Sequence, residues 1–165
     1  MTKCPPSSEA ATPTETLLKD NTPRLAVRAL IVSDDRLLLV NAWPGVQSGL
    51  WCAPGGGVQP GQSLPENLRR EVMEETGLRI AVGLPCLVNE FHAPASGFHQ
   101  VEIFFRCTLQ GGALSPEWRD PEGVVSNRIW ASRAEMEQLR FKPDGLPEAA
   151  WGNGISYDPL ELLIK

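Results

Sequence analysis

The sequence lacks the features that mark a membrane protein, a secreted disulfide-rich protein or a zinc protein. It has no uninterrupted apolar run of the roughly 20 residues that span a bilayer. Its first residues show no charged-then-apolar signal pattern. Its four cysteines form no CxxC pair, which argues against a zinc site. We therefore expect a cytoplasmic protein without membrane attachment, in which Cys86 and Cys107 are small buried hydrophobic residues.

The sequence also lacks an excess of positive charge. Its 15 Lys and Arg residues are outnumbered by 20 Asp and Glu residues, which gives a formal net charge of −5. A nucleic-acid polymer is not an expected partner, because non-specific binding of that kind depends on basic residues that contact phosphates. An acidic protein can still bind a small polyphosphate when its carboxylates hold a divalent cation.

The composition that remains is that of a globular chain, with 165 residues of which 42% are hydrophobic and 21% charged. Residues 1–22 are rich in Ser, Thr, Pro and Glu, and they predict a flexible tail, with an arm that docks on a partner subunit as the alternative. Residues 23–165 predict one domain.

Hydrophobic patterning predicts strands, then one strong helix, then further strands and short helices. Residues 25–32 and 36–40 are expected to pair as a hairpin through the turn at 33–35. A short strand over 50–53 leads into a glycine-rich loop at 54–57. The later segments are strands over 79–87, 101–109 and 129–130 and helices over 132–140 and 146–151. This order predicts an α/β fold with a central mixed β-sheet between helices.

The clearest helix begins after Ser63. Ser63 and Glu66 match a capping box, in which each side chain satisfies a free amide of the first turn. Pro65 is tolerated in the first turn, where its missing amide hydrogen costs little. Gly77 then supplies the helix stop.

Within this helix, Glu71, Glu74 and Glu75 are spaced i, i+3 and i+4, so their carboxylates share one face. That face borders the apolar stripe of the helix, which places the acids at the edge of the core. Like charges at this spacing repel, and a Mg²⁺ ion, which prefers carboxylates, waters and phosphates, would relieve the repulsion. A solvated acidic face is the alternative for the helix taken alone. The glycine-rich segment before the helix favours a metal site beside a phosphate.

Residues 56–78 resemble the Nudix box. The box reads Gly, five residues, Glu, seven residues, Arg-Glu, an aliphatic residue, any residue, Glu-Glu, any residue, Gly and an aliphatic residue. Position 62 departs from it, because Gln62 replaces the first Glu, and Gln59 is also an amide. The resemblance extends over about residues 24–151 and implies an α/β/α sandwich. The positions in register are Gly56, Arg70, Glu71, Val72, Glu74, Glu75, Gly77 and Leu78.

The resemblance implies a Mg²⁺-dependent hydrolase, with Mn²⁺ as a substitute, that cleaves the pyrophosphate linkage of a small nucleoside diphosphate derivative. Glu71, Glu74, Glu75 and the Gly56 carbonyl would hold the metal, and Arg70 would orient the carboxylates. Arg70 and the three glutamates are the expected catalytic residues. The expected substrate-binding residues are Arg28, Trp43, Gly55, Glu102 and Glu122.

Two further sets of residues have less specific expectations. Strand alternation puts Glu102 on the face opposite Val101 and Ile103, where a solvent-facing carboxylate is the first expectation. Ordinary packing or exposure is the first expectation for the aromatic residues that could stack on a base. The candidate general bases outside the helix are Glu90, Glu102, Glu117, Asp120 and Glu122. The candidate stacking residues are Trp43, Phe91, Phe98, His92, His99 and Trp118.

Two other functions remain as alternatives. Gln62 and Gln59 are compatible with a non-catalytic Nudix-like module that binds a nucleotide as a sensor. An isomerase of isoprenoid diphosphates on the same fold ranks last, because the sequence lacks the additional Cys and His pattern. The identity of the nucleotide stays open, and both a monomer and a homodimer are compatible with the sequence.

Overall fold

The structure is a computed structural model that describes residues 22–45 and 49–164. The predicted tail over residues 1–22 lies, apart from Thr22, outside these ranges. The described residues form nine strands and three α-helices, with a short 3₁₀ turn at Pro94–Ser96. In chain order the elements are β1 (Arg24–Ser33), β2 (Arg36–Asn41), β3 (Leu50–Cys52), β4 (Gly55–Gly57), α1 (Leu64–Thr76), β5 (Arg79–Ala93), β6 (Phe98–Gly111), β7 (Arg128–Ser132), α2 (Arg133–Met136), β8 (Arg140–Phe141), α3 (Leu146–Trp151) and β9 (Ser156–Leu162).

The nine strands form one mixed sheet with β1 near its centre. The main order is β8-β3-β2-β1-β6-β5-β9, and β4 and β7 pair with β1 and β2 beside this path. β1 runs parallel to β6 but antiparallel to β2 and β4. β5 and β6 form a long antiparallel hairpin, and β9 lies parallel to β5 at the sheet edge. The predicted central mixed sheet is confirmed.

Apolar layers cover both faces of this sheet. Val27 and Ile31 of β1 pack in the layer that contains Leu68 of α1. Leu30, which points to the opposite face, packs in the layer that contains Leu146 of α3. Because helices cover both faces, the fold is the predicted α/β/α sandwich. No helix within the described residues is long and apolar enough to cross a membrane.

Local sequence signals account for the first hairpin and for α1. Asp34 and Asp35 adopt positive φ angles of 49° and 56° in the tight turn between β1 and β2. Ser63 accepts the Glu66 amide, and the Glu66 carboxylate accepts the Ser63 amide, which completes the predicted capping box. Gly77 ends α1 in the left-handed conformation with a φ of 73°.

The glycine segment differs from its prediction. Gly55–Gly57 is not a loop but the short strand β4, which pairs with residues 26–28 of β1. Glycine permits this pairing because a Cβ atom at Gly55 would collide with the Val27 carbonyl oxygen. Close backbone approach, rather than a turn, is what this glycine provides.

The helix predicted over residues 132–140 is a single turn. Ser132 caps it with the expected capping box, but α2 ends at Met136. The chain then turns so that Arg140 and Phe141 pair with Leu50 and Trp51 as β8. Strand pairing therefore overrides the local helix preference after Met136.

The later strand predictions are incomplete. The strands predicted over 79–87 and 101–109 are longer in the structure, because β5 and β6 continue as a paired hairpin to the turn at Pro94–Ser96. β9 is absent from the prediction. Its sequence Ser-Tyr-Asp-Pro-Leu-Glu-Leu has mixed polarity, so pairing with β5 rather than local patterning defines it.

Candidate active site

An open cleft of about 980 Å³ lies where β4 and α1 meet the ends of β1, β6 and β5. Its volume is within the usual range of ligand sites, roughly 300–1,000 Å³. Acidic side chains of α1 form one wall, polar side chains of the sheet form the floor, and aromatic and carboxy-terminal residues form the far end.

Glu71 and Glu75 form the acidic wall. They are 7% and 9% exposed, one helical turn apart, and both line the cleft. Burial raises the pKa of Glu75 to about 8 and also raises the pKa of Glu71. The Gly55 amide donates to Glu75 Oε2 over 2.8 Å. A side chain at Gly56 would collide with the Glu71 carboxylate, so the glycine strand lies directly against both acids.

Arg70 joins two of the predicted acids. Its guanidinium donates to Glu71 Oε1 over 2.7 Å and to Glu74 Oε2 over 3.0 Å. Neither Arg70 nor Glu74 is among the residues that line the cleft. The structure therefore divides the predicted acidic face, with Glu71 and Glu75 turned into the cleft and Glu74 held at its outer side.

A divalent cation such as Mg²⁺ requires oxygen ligands, and this wall supplies two buried carboxylates. No group of three His, Cys, Asp or Glu side chains in residues 22–45 and 49–164 is arranged to hold a metal ion by itself. The two buried carboxylates nevertheless fit a hard cation, which takes few protein oxygens and completes its shell with waters and phosphates. Because Gly56 has no side chain, its backbone lies directly against the Glu71 carboxylate.

The floor of the cleft is a buried polar network centred on Glu102. Arg28 donates from Nε to Glu102 over 2.8 Å and from Nη1 to the Gly55 carbonyl over 2.8 Å. Burial opposes the charge of Arg28, but Glu102 raises its pKa, so the guanidinium stays protonated. Glu102 is 4% exposed, and the expectation of a solvent-facing carboxylate is wrong because β6 is an interior strand and Arg28 and Gln100 both donate to this carboxylate.

The candidate general bases lie in different environments. Glu102 and Glu122 line the cleft, whereas Glu90, Glu117 and Asp120 do not. Glu122 is exposed and close enough to Glu71 for the two charges to interact. Glu102 is already occupied by Arg28. Of the five, Glu122 is the cleft acid whose carboxylate is open to solvent.

Of the other candidate bases, Asp120 and Glu90 accept hydrogen bonds from the protein, and Glu117 is exposed to solvent. Asp120 accepts the amides of Val124 and Val125 over 2.9 and 2.8 Å and so shapes the loop that carries Glu122. Glu90 accepts the Tyr157 hydroxyl over 3.2 Å. Glu117 is exposed in the same loop as Asp120.

The aromatic candidates also divide into residues that line the cleft and residues that do not. Trp43, Phe91 and Phe98 line the cleft, and the rings of the two phenylalanines lie 6.0 Å apart. Trp118 instead packs against Gly77 and donates to the Glu74 carbonyl over 2.9 Å. His92 and His99, with rings 6.4 Å apart, are also outside the cleft lining.

Several cleft residues were missing from the sequence-based set. Arg24 lies against Gly57, four residues before Arg28 on the same face of β1, and strand alternation could have identified it. The same alternation places Gln100 beside Glu102. Residues 161–164 had no signal, because β9 itself was not predicted. The missed cleft residues with polar side chains are Arg24, Asn41, Asn89, Ser96, Gln100, Lys142 and Glu161.

Comparison with known proteins identifies the fold family. The NUDIX domain model matches residues 22–151. The chain belongs to the Nudix family. It is 35% identical to the oxidized purine nucleoside triphosphate hydrolase of Mus musculus over 150 residues, which cover 88% of this chain and 83% of that protein.

Other relatives agree with this assignment. An ADP-ribose pyrophosphatase of Methanocaldococcus jannaschii is 32% identical over 94 residues, 56% of this chain and 54% of that protein. The solved MutT protein of Bacillus halodurans has the same fold, with a TM-score of 0.61 and 23% identity over 81% of this chain and 86% of that one. Nudix hydrolases act on nucleoside diphosphate derivatives and generally use divalent metal ions. This Nudix chain is a pyrophosphohydrolase of that family.

The matched region of this Nudix hydrolase ends before its cleft does. The family model stops at residue 151, while Glu161, Leu162, Leu163 and Ile164 line the far end of the cleft. Leu163 donates its amide to the His92 carbonyl over 2.8 Å, which joins this segment to β5. Part of the cleft wall therefore comes from outside the matched region.

Proposed function

We propose that this Nudix hydrolase binds Mg²⁺, or Mn²⁺ as a substitute, and hydrolyses the pyrophosphate linkage of a small nucleoside diphosphate derivative. The observation that carries the proposal is the buried pair Glu71 and Glu75 beside the glycine strand, in a cleft large enough for a nucleotide. A buried pair of carboxylates without a cation would be costly to ionise, which makes it suited to binding one.

The roles of the acidic residues follow from their positions. Glu71, Glu75 and the Gly56 carbonyl would hold the metal, which when bound neutralises phosphate charge and activates water. Glu74 would support the same cation from the outer side, and Arg70 would orient Glu71 and Glu74 through its two ion pairs.

The remaining predicted residues would bind substrate or shape the cleft. Glu122 would accept the proton of the attacking water, because it lines the cleft, is exposed and lies close enough to Glu71 for their charges to interact. Trp43 would contact the nucleoside portion, and the Gly55 backbone would border the phosphates. Arg28 and Glu102, which bond to each other, would fix the floor rather than contact the reacting atoms.

The central experiment is a hydrolysis assay over a nucleotide panel with Mg²⁺ or Mn²⁺. The panel contains ADP-ribose, dinucleoside polyphosphates, oxidised nucleoside triphosphates and nucleotide sugars. Glu71→Gln and Glu75→Gln are expected to lower kcat by about 100-fold or more, because each removes a charge that stabilises the metal and the transition state. Glu117→Gln, the same change in an exposed loop outside the cleft, is the matched control and should retain wild-type kcat.

The role of Glu122 has its own test. Glu122→Gln should lower kcat by about 10²–10⁴-fold and remove the acidic limb of the pH–rate profile, because the base would be missing. Glu117→Gln again controls for charge change in the same loop. An unchanged pH profile in Glu122→Gln would assign the proton transfer to another group.

The alternative function is nucleotide binding without hydrolysis. Gln62 favours it, since this position of the box carries an amide that brings no charge and cannot act as a base. In the structure Gln62 is exposed and outside the cleft lining. The test combines calorimetry with the hydrolysis assay. If the wild-type protein binds nucleotide but hydrolyses no substrate faster than Glu75→Gln does, the protein is a nucleotide sensor.

The proposed compartment is the cytoplasm. Cys52, Cys86 and Cys107 are free thiols in the structure. Free cysteines are typical of a reducing environment. Fractionation of cells that express the tagged protein would test this proposal.

A further inference from the structure

One buried polar atom beside the cleft has no hydrogen-bond partner in the part of the chain that the structure describes. Gln100 is 3% exposed and lines the cleft floor. Its amide nitrogen donates to Glu102 over 2.9 Å. Its Oε1 has no hydrogen-bond partner among residues 22–45 and 49–164. Buried acceptors are almost always bonded, so an exception at a ligand cleft points to a donor that a ligand brings.

The orientation of this amide is fixed by its neighbours. Glu102 accepts from Arg28 and, with the Asn89 amide turned so that both its ends are satisfied, from Asn89 over 3.2 Å. A carboxylate held in this way can only accept from Gln100, so the Gln100 nitrogen must face Glu102. The carbonyl end of Gln100 is therefore a preset hydrogen-bond acceptor.

The surroundings of Gln100 are aromatic. Phe91 is its direct partner in the β5–β6 ladder, and Phe98 lies two residues earlier on the same face of β6. Their rings are 6.0 Å apart, and both line the cleft. This end of the cleft thus combines flat apolar surface with one acceptor. An aromatic base presents the matching chemistry, with a face that packs on rings and an edge that donates.

The opposite neighbour of Gln100 sets the direction of the ligand. Arg24 is the partner of Gln100 on β1, and its guanidinium lies against Gly57, next to the acidic wall. Strand pairing therefore places the Arg24 cation, Gln100 and Phe91 in one row across β1, β6 and β5. A nucleotide placed along it would have phosphates toward Arg24 and its base toward Phe91.

We propose that Gln100, oriented by Glu102, is a specificity residue that accepts an N–H of the exocyclic amine of the nucleobase, which packs against Phe91 and Phe98. The substrate class is then a nucleotide whose base carries an exocyclic amine. This inference rests on the proposed function, in that the ligand of the cleft is a nucleotide.

The test compares nucleotides that differ by one amine. The pairs are adenosine with purine-riboside triphosphate and guanosine with inosine triphosphate. Wild-type affinity, measured by calorimetry with non-hydrolysable analogues, should favour the amine-bearing member of at least one pair by about 10-fold. The ratio of kcat/KM for hydrolysis of the same pair should show the same preference.

Two variants separate base reading from a structural role. Gln100→Met keeps side-chain length but removes the acceptor, and it should reduce the preference to about 1. Gln138→Met, the same change at an exposed position outside the cleft, should retain the wild-type preference.

The experiment distinguishes failure of the Gln100 role from failure of the proposed hydrolysis. Preferential binding without hydrolysis would leave the role of Gln100 standing and contradict the proposed reaction. Hydrolysis with no preference in either pair would overturn the role of Gln100, and that comparison needs only the wild-type protein. Equal loss of binding for both members of a pair in folded Gln100→Met would also overturn it.

Discussion

At the residue scale, the contact between β4 and β1 depends on Gly55. This residue has a φ of 142°, and a Cβ atom there would collide with the Val27 carbonyl oxygen. We predict that Gly55→Ala lowers the free energy of unfolding by about 1–3 kcal/mol from backbone strain, with the collision adding to that loss. Urea denaturation measures the change.

Two other glycines serve as graded controls for Gly55. Gly61 also has a positive φ, 84°, but a Cβ atom there would meet no other atom within 4 Å. Gly61→Ala should therefore show the strain alone. Gly154→Ala, with neither strain nor a near neighbour, should be close to neutral. Equal losses at all three positions would contradict the close-approach explanation.

Asn41 anchors the loop that carries Glu122. Its Oδ1 accepts the amides of Ser126 and Asn127 over 2.9 and 2.8 Å, and its Nδ2 donates to the carbonyls of Trp43 and Val124. We predict that Asn41→Asp lowers the free energy of unfolding by about 2–3 kcal/mol at neutral pH, because a carboxylate would face two carbonyl oxygens. Thermal and chemical denaturation measure this loss.

Asn127→Asp provides the comparison for Asn41. Asn127 is exposed, and its side chain makes one long bond of 3.4 Å to Ser126. The same amide-to-acid change there should alter stability by less than about 0.5 kcal/mol. A comparable loss in both variants would mean that added negative charge, rather than the Asn41 bonds, is responsible.

At the scale of elements, the carboxy-terminal turn of α1 is held by groups from another part of the chain. Trp118 donates to the Glu74 carbonyl over 2.9 Å, and Arg128 of β7 donates to the Glu75 carbonyl over 2.5 Å. These carbonyls have no partner within the helix. The two contacts therefore fix the turn that carries the predicted metal ligands.

We predict that Trp118→Phe lowers the free energy of unfolding by about 1 kcal/mol, because it removes one hydrogen bond but keeps an aromatic ring over Gly77. Urea denaturation tests this. Trp130→Phe is the matched control, since the Trp130 indole makes no hydrogen bond among residues 22–45 and 49–164, and it should differ from wild type by less. Equal effects in both variants would assign the loss to ring size.

The elements also show what could be predicted from sequence. The helix α1 was found accurately because Ser63, Glu66 and Gly77, which define its ends, all lie in its own sequence. The strands β4, β8 and β9 were missed because each is defined by pairing with a distant strand. The cleft shows the same difference between local and distant signals. Helix periodicity predicts that Glu71 and Glu75 lie together, because both belong to one element. Gln100 and residues 161–164 reach the cleft through the pairing of distant strands.

At the scale of the whole molecule, metal binding should couple to folding. A ligand present at about 100 times its Kd stabilises the folded state by about 2.7 kcal/mol. We therefore predict that Mg²⁺ raises the Tm of wild type by roughly 5–10 °C, at about 2–4 °C per kcal/mol for a domain of this size. Scanning calorimetry with Mg²⁺ or with a chelator measures the shift.

The double variant Glu71→Gln and Glu75→Gln should lose this shift. Its Tm without metal should equal or exceed that of wild type, because two buried acidic groups become neutral amides. A double control, Glu117→Gln and Glu137→Gln, removes two exposed charges and should keep the Mg²⁺ response. An undiminished shift in the Glu71 and Glu75 variant would place the stabilising cation elsewhere.

The position of Ile164 has a practical consequence for handling the protein. Its carbonyl oxygen accepts the Trp43 indole over 3.1 Å, inside the lining of the cleft. Any purification tag, fusion partner or dye attached downstream of this residue would begin beside the lining of the cleft. Such an attachment would compromise kinetic work, yet a fluorophore placed there would make a direct reporter of ligand occupancy.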